Sequence, residues 1–261
     1  MTKARNWRLV LAYDGTPFHG WQVQPHLSTV QGTLADAIER ITGERVLPQG
    51  SGRTDTGVHA LAQVASFMLT APIPPLNLWR ALNRALPESI RVLSAEHAPA
   101  EFHARHSAIG KSYEYRIFRG EICPPWIARY AYALNWPLNV TAMQRAASLV
   151  LGEHDFTSFA AADPDLSQRM DPLEEIDNLR RIHDSCWHED RDMLTYRVQG
   201  SGFLHHMVRN LVGTFLQAGR GAIDSERILK ILAARDRRSA GPTAPARGLF
   251  LTQVEYDSSA T

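Results

Sequence analysis

The chain has 261 residues, of which 44% are hydrophobic and 21% charged, and its formal net charge at pH 7 is +1. No apolar run is long enough to cross a bilayer, so the composition predicts a soluble globular protein and excludes an integral membrane protein. A net charge this small gives no support for nucleic-acid binding through bulk charge. Any such binding must use locally clustered Arg and Lys, or a groove shared between subunits.

Two cysteines, Cys123 and Cys186, are too few for a disulfide framework or a four-cysteine zinc site. Reduced thiols fit the cytoplasm, which is the expected location. The first residues carry basic side chains before a short apolar stretch, but the chain continues into Asp14 and Gly15 without a small-residue cleavage site. The start of the sequence therefore predicts a first strand and not a signal peptide.

The first half of the sequence predicts six elements in the order β-α-β-β-α-β. Apolar residues recur at helical spacing between Val30 and Ile41, behind a candidate N-cap at Ser28 or Thr29. The other predicted elements are strands at 7–13, 45–47, 62–69 and 90–97 and a helix at 75–86. This order is typical of the ferredoxin-like pattern.

The second half repeats this order with one additional helix. The predicted strands are 113–118, 180–187, 193–199 and 249–256, and the predicted helices are 141–151, 203–216 and 223–234. We therefore predict an α/β (α+β) protein with two ferredoxin-like halves, 1–105 and 106–261, and a central cleft. Exposed irregular connections are expected at 160–177 and 239–247, because proline and polar residues interrupt the periodic pattern there.

The connection between the second and third predicted strands contains a dense cluster of small and polar residues, GSGRTDTGVHA at 50–60. Glycines on both sides of Asp55 allow a tight turn and close approach of a substrate backbone. An aspartate in a glycine-rich turn more often bonds to turn amides, so this pattern alone does not assign a catalytic role.

Residues 52–60, GRTDTGVHA, closely resemble the catalytic motif of the tRNA pseudouridine synthase A family. The resemblance runs nearly end to end and includes, in chain order, YDGT and GWQ near the start, ALN and LP at 81–87, KSYEYRI at 111–117, GFLHHMVRN at 202–210 and APARGL at 244–249. The sequence departs from the family pattern at Ala62, where a glycine is expected. It also departs between Ala160 and Arg181, where it is longer and more acidic.

This resemblance implies the pseudouridine synthase fold and the isomerisation of uridine to pseudouridine at positions 38, 39 and 40 of the tRNA anticodon stem-loop, without a cofactor or metal. It implies that Asp55 is the catalytic nucleophile. Attack on the sugar, addition to the base and removal of a sugar proton all stay open as its route. Tyr113 would stack on the uracil, and Arg209 would keep Asp55 ionised, since a nearby guanidinium lowers the pKa of a carboxyl group.

Two more residues are candidates for substrate contacts, and each has a structural alternative. Arg53 would fill the space left by an extruded base or hold a phosphate, or it is a surface arginine. Leu249 would form an apolar wall beside the carboxylate, or it is a core leucine. Spacing alone favours a solvent-facing Arg209 and an ordinary strand role for Tyr113, so both assignments depend on the resemblance.

The resemblance also implies a homodimer that holds one tRNA across both subunits. Pairing would lengthen the basic surface of a subunit that is nearly neutral. No membrane partner is expected.

Other functions compete with this interpretation. The triplet Asp55-Thr56-Gly57 is also the aspartic protease signature, but that class needs two copies, and a second copy would have to come from a homodimer. Zinc deaminases need a Pro-Cys-x-x-Cys pair, whereas the two cysteines of this chain are 63 positions apart. Two histidine pairs lack the further ligands of a recognisable metal site: His103 with His106, and His205 with His206. A non-catalytic RNA-binding module with the same fold stays open.

Overall fold

The computed structural model describes residues 3–162 and 177–257. In chain order the elements are β1 (Arg5–Tyr13), α1 (Val30–Thr42), β2 (Gln49–Gly50), β3 (His59–Leu69), α2 (Pro75–Ala85), β4 (Ile90–Ala98), β5 (Ala108–Phe118), α3 (Pro125–Ala128), β6 (Tyr132–Ala133), α4 (Val140–Ser148), β7 (Gly152–Asp155), β8 (Leu179–Asp190), β9 (Met193–Gly200), α5 (Met207–Gly219), α6 (Arg227–Ala234) and β10 (Leu249–Tyr256). The predicted α+β class is confirmed.

The chain forms two compact units. Unit 1 comprises Met1–Lys111 and Leu249–Thr261, and unit 2 comprises Ser112–Gly248. The predicted division into halves at residue 105 stays a prediction. Among the described residues, none of the helices combines the length and the apolar character that crossing a bilayer requires.

Unit 1 has the β-α-β-β-α-β order predicted for the first half, followed by β10. Its strands lie in the order β4-β1-β3-β10, and the short β2 pairs with β3. β1 is antiparallel to both β3 and β4, whereas β10 is parallel to β3. Alternate residues of β1 are buried, since successive side chains of a strand point to opposite faces.

Helix α1 begins and ends where local chemistry requires. The Thr29 side chain accepts a hydrogen bond from Gly32 N, which satisfies one of the unpaired amides of the first turn. Gly43, at φ +76°, ends the helix in the left-handed conformation. The buried face contains Val30 and Leu34. The predicted helix and its cap at Thr29 are thus confirmed.

Two element boundaries differ from the prediction for identifiable reasons. The second strand was predicted at 45–47 but lies at Gln49–Gly50, because Pro48 has no amide hydrogen and pairing with β3 starts after it. Helix α5 was predicted from residue 203 but begins at Met207. His206 has φ +59°, and a residue in the left-handed region cannot continue a right-handed helix.

Unit 2 has strands in the order β5-β9-β8-β7, with β6 beside β5. The β8–β9 pair is antiparallel and its register runs from Ile182↔Gly200 to Asp190↔Met193. The core is aromatic, and its largest fully buried side chains are Tyr115, Phe156, Phe159, Tyr196 and Phe215. Tyr196 of β9 packs against Phe215 of α5 with ring centroids 5.3 Å apart, which joins the sheet to this helix.

The two predicted irregular connections have different outcomes. The segment 239–247 is irregular, but it is not exposed throughout, and that part of the prediction is wrong. Ala244 is 4% exposed, and Gly241 N donates to Thr214 Oγ1 at 2.9 Å, so the segment packs on α5. The segment predicted at 160–177 falls mostly on residues 163–176, which lie outside the described residues.

Candidate active site

Asp55 lies in the irregular connection between β2 and β3 and is half-buried. The backbone turns directly after it, since Val58 N donates to the Asp55 carbonyl oxygen at 3.0 Å. Arg53, two residues earlier, is exposed. The loop therefore presents a carboxylate on a tight turn, with a guanidinium on the same short segment.

Thr54, the residue before Asp55, is anchored through both its main chain and its side chain. Its carbonyl oxygen accepts from Trp21 N at 3.0 Å, and its Oγ1 is 2.8 Å from the hydroxyl of Tyr13. The approach of the Trp21 segment requires Gly20, which has φ +85° and whose added Cβ would lie 2.6 Å from the Thr54 carbonyl oxygen. Thr54 itself is 6% exposed. Its position is fixed from two directions.

The start of the loop is held by the fully buried Gln63 of β3. Its Nε2 donates to the Gly52 carbonyl oxygen at 2.8 Å, and its Oε1 accepts from Ser51 Oγ at 2.7 Å. The Lys111 ammonium donates to the Ser51 carbonyl oxygen at 2.7 Å. Buried polar groups are stable only when they are hydrogen-bonded, so this network defines one conformation of the loop.

Leu249 opens β10 and is 6% exposed. The parallel register of β10 with β3 places Phe250 opposite His59 and Leu251 opposite Ala60. The ring of Phe250 stacks on the ring of His59 with centroids 4.6 Å apart. Leu249 thus lies beside the chain that leaves the Asp55 turn, as part of the packed interior of unit 1.

In unit 2, Tyr113 and Tyr115 share one face of β5 but have different surroundings. The Tyr115 hydroxyl donates to the Pro245 carbonyl oxygen at 2.8 Å, and burial raises the pKa of Tyr115. Tyr113 is 8% exposed, and its ring meets Phe203 edge-on with centroids 5.0 Å apart. Tyr115 therefore has the environment of a core residue, a distinction that the sequence pattern did not provide.

Arg209 lies in the first turn of α5 and is tied to the segment that precedes β10. Its Nε donates to the Ala244 carbonyl oxygen at 2.8 Å, and Ala244 N donates back to the Arg209 carbonyl oxygen at 3.1 Å. This reciprocal pair fixes the orientation of the guanidinium. The orientation is not that of a helix arginine extended into water.

The sequence analysis did not identify the polar cluster of Asn210, Arg237 and Thr243, which supports the segment preceding β10. Asn210 is fully buried, and its Oδ1 accepts from Arg237 Nη2 at 3.0 Å and from Thr243 Oγ1 at 2.7 Å. Arg237 Nη1 also donates to the Gly241 carbonyl oxygen at 3.0 Å. The sequence did contain a signal for this cluster, because Asn210 stands among apolar residues of α5. A buried amide needs several hydrogen-bond partners, so polar groups had to lie close to it.

The site residues predicted from the sequence thus fall in both units. Asp55, Arg53 and Leu249 belong to unit 1, whereas Tyr113 and Arg209 belong to unit 2. Asp55 and Arg53 share one loop. Leu249 opens the strand β10, which pairs with His59 and Ala60, the first residues after that loop. A half-buried carboxylate on a rigid turn suits a reaction in which the carboxylate must be held in place against a reacting atom.

Comparison with known proteins agrees with these local features. The profile of a family described as tRNA pseudouridine synthase matches residues 9–107 and 146–257. A protein named tRNA pseudouridine synthase A from Solibacter usitatus is 50% identical over 252 residues, which cover 97% of this chain and 100% of the relative. A protein of the same name from Moorella thermoacetica is 44% identical over 251 residues, covering 95% and 98%.

Among solved structures, the crystal structure of a Cbf5-Nop10-Gar1 complex aligns with 94% of this chain at 13% identity and a TM-score of 0.35. The chain spans about half the length of the matching chain, 48%. The assignment depends on the sequence relatives, because the profile match covers most of the chain and the identities extend over nearly all of it. This chain therefore belongs to the tRNA pseudouridine synthase family, the isomerases that convert uridine in tRNA to pseudouridine.

Proposed function

We propose that this enzyme acts on uridines 38, 39 and 40 of the tRNA anticodon stem-loop and that Asp55 is its catalytic nucleophile. The observation that carries the proposal is the location of Asp55, half-buried on a turn that Thr54 and Gln63 hold in one conformation. The choice of uridines follows from the resemblance of the chain to the family that modifies those positions.

The reaction needs no atoms or electrons beyond those of the substrate. The bond between C1′ of the ribose and N1 of uracil breaks, a bond between C1′ and C5 forms, the proton on C5 leaves, and N1 gains a proton. Such an exchange requires an anionic group that stabilises or traps the detached intermediate. A carboxylate supplies that group, so we propose that the enzyme works without a cofactor or metal.

The four other site residues have proposed roles toward the substrate or toward the Asp55 carboxylate. Tyr113 stacks on the uracil, and its edge-on contact with Phe203 supports a fixed ring orientation. Arg209 keeps the carboxylate ionised, and its Nε bond to Ala244 supports a defined guanidinium position. Arg53 contacts the RNA backbone or occupies the space of the extruded nucleotide, in keeping with its exposure. Leu249 forms part of an apolar wall for the base.

The test uses purified enzyme and an unmodified tRNA transcript with uridines at positions 38 to 40. Asp55→Asn keeps the size of the side chain and removes its charge, so we expect tRNA binding to persist and pseudouridine formation to vanish. Product is counted by mass spectrometry, and its position is mapped by carbodiimide treatment and primer extension. Asp36→Asn is the control, since Asp36 is exposed on α1 and should change nothing.

Three results would overturn separate parts of the proposal. Pseudouridine formation by Asp55→Asn at the wild-type rate would remove Asp55 from the chemistry. Pseudouridine formation that persists in a transcript with cytidine at 38, 39 and 40 would place the targets elsewhere. A wild-type enzyme that binds tRNA and forms no pseudouridine would favour the non-catalytic RNA-binding module.

We also propose that the enzyme is a cytoplasmic homodimer. The motive is electrostatic, since a subunit with a formal net charge of +1 gains a longer basic surface by pairing. Analytical ultracentrifugation at micromolar concentration is expected to give the mass of two chains. Sedimentation as a monomer, with or without tRNA, would contradict the dimer.

A further inference from the structure

Two buried tyrosines in the described part of the chain bond through their hydroxyl groups to the hydroxyl of a serine or threonine. In unit 1, the Tyr13 hydroxyl is 2.8 Å from Thr54 Oγ1, and in unit 2 the Tyr196 hydroxyl is 2.7 Å from Ser185 Oγ. Tyr13 is 4% exposed and Tyr196 is fully buried. The two pairs are chemically alike, but only Tyr13 bonds to the residue that precedes Asp55.

The Tyr13 bond joins a strand to a loop that is distant along the chain. Tyr13 ends β1, whereas Thr54 lies 41 residues later, in the connection before β3. Gln63 Nε2 also lies 3.4 Å from the Tyr13 hydroxyl, which links this bond to the network at Ser51 and Gly52. Burial raises the pKa of Tyr13 to about 12, so the phenol is protonated throughout the neutral range and the hydrogen bond persists there.

The consequence for Asp55 is geometric. Its Cα lies about 3.8 Å from that of Thr54 across one peptide plane. The peptide plane is oriented by Trp21 N on the Thr54 carbonyl oxygen, and the Thr54 side chain is oriented by Tyr13. Loss of the Tyr13 hydroxyl removes one of these two anchors. A misplacement of about 1 Å can lower the rate of a positioned reaction about 100-fold.

We propose that Tyr13 is a positioning residue for the Asp55 carboxylate, acting through the Thr54 hydroxyl. This inference rests on the proposed function, because the exact position of the Asp55 carboxylate affects kcat only if Asp55 takes part in the reaction. Tyr13 acts on catalysis without touching the substrate.

The test compares Tyr13→Phe with Tyr196→Phe. Each variant removes one phenolic oxygen from a buried hydroxyl pair, so both should lower the Tm by a similar amount, about 2–4 °C. In steady-state assays on the tRNA transcript, Tyr13→Phe should lower kcat about 10- to 100-fold with KM nearly unchanged. Tyr196→Phe should leave both constants within about twofold of wild type, since its hydroxyl bonds to Ser185 of β8 and not to a residue of the Asp55 loop.

Variants of Thr54 test the same hydrogen bond from its other partner. They keep the inference testable if Tyr13→Phe does not fold. Thr54→Val is nearly isosteric and lacks the hydroxyl, so its kcat should fall as in Tyr13→Phe. The double variant should lose no more than either single variant, since both remove the same interaction. Thr54→Ser retains the hydroxyl and should recover most of the activity.

Failure of this inference is distinguishable from failure of the proposed function. If the wild-type enzyme forms pseudouridine and Tyr13→Phe has the same kcat, Tyr13 does not position Asp55. Equal kcat losses in Tyr13→Phe and Tyr196→Phe would assign the effect to general stability, and multiplicative losses in the double variant would contradict a shared path. A wild-type enzyme without activity on any tRNA would instead contradict the function itself.

Discussion

The segments that carry Asp55 and Arg209 are fixed in different ways. Asp55 lies in an irregular loop, residues 51–58, whose shape depends on side chains from neighbouring strands, Tyr13 from β1 and Gln63 from β3. Arg209 lies in α5, where the hydrogen bonds of the helix define the backbone, and the segment 240–246 packs against it.

This difference predicts where the effect of a substitution appears. Beyond the turn bond from Val58 N to the Asp55 carbonyl oxygen, this loop takes its geometry from external partners, so losing a partner should change the position of Asp55 and hence kcat. A helix retains its geometry when one partner is lost. Changes around α5 should therefore lower stability more than they lower the activity of the molecules that are folded.

Gly213→Ala should have the largest effect. An added Cβ would lie 1.6 Å from the Pro242 carbonyl oxygen and 2.8 Å from its carbon, and both are backbone atoms that move only with the segment. We expect a loss of about 3 kcal/mol in the free energy of unfolding, at the upper end for overpacking, measured by urea denaturation. Gly202→Ala is the control, since its added Cβ would meet Arg180 at an ordinary 3.7 Å. Equal stability of the two variants would contradict close packing of α5 on the segment.

Arg237→Met should have the next largest effect. It removes donors to three oxygen atoms, those of Gly241, Asn210 and Thr243, and weakens the cluster around the buried Asn210. We expect a loss of about 2 kcal/mol of stability. The neighbouring Arg238→Met is the control, because that side chain is 91% exposed and its ion pair with Asp236 is on the surface. If folded Arg237→Met loses kcat tenfold, the proposed contrast between helix and loop is wrong.

Gln63→Leu tests the loop side of the comparison. It leaves Ser51 Oγ and the Gly52 carbonyl oxygen without their Gln63 bonds, so we expect a loss of about 1 kcal/mol of stability. The kcat should fall at least about tenfold, because the Asp55 loop loses an anchor. The control is Gln31→Leu, a buried glutamine that bonds to the main chain of Val23 and Pro48, outside the loop. A kcat loss as large in the control would show that any buried glutamine of unit 1 matters equally.

Glu44→Gln should have the smallest effect, a change in thermal stability that depends on pH. Its carboxylate accepts hydrogen bonds from Thr70 N and Thr70 Oγ1, and these bonds lower the pKa of Glu44. Because the folded pKa is lower than the unfolded one, the carboxylate stabilises the fold above the unfolded pKa, and this contribution is lost as pH falls through the folded pKa.

The measurement compares thermal unfolding of Glu44→Gln and wild type from pH 7 down to pH 3. The difference in Tm should be largest at pH 7 and should shrink on acidification, with kcat at pH 7 unchanged because Thr70 lies outside the Asp55 loop. Glu39→Gln, at an exposed residue of α1, is measured in parallel as the control for removing a surface carboxylate. A Tm difference that is constant with pH would contradict the role of the ionised carboxylate.

Several elements could be predicted from the sequence because their determinants are local. Helix α1 was predicted from apolar spacing and its cap, and β10 was predicted at its observed bounds, 249–256. The Asp55 loop was identified from its motif. Local rules failed where one residue interrupts a pattern, at Pro48 before β2 and at His206 before α5, since a missing amide or a positive φ overrides periodicity.

By itself, the sequence determined the order of the first six elements, the family and the carboxylate on which the proposed chemistry depends, whereas the short α3, β6 and β7 of unit 2 were not predicted. Only the tertiary structure decided which side chains hold that carboxylate and the arginine in place. Tyr13 meets Thr54 across 41 positions, and Arg237 meets Asn210 across 27. Such partners are set by strand register and by the packing of segments on helices, and neither is encoded in the spacing of nearby residues.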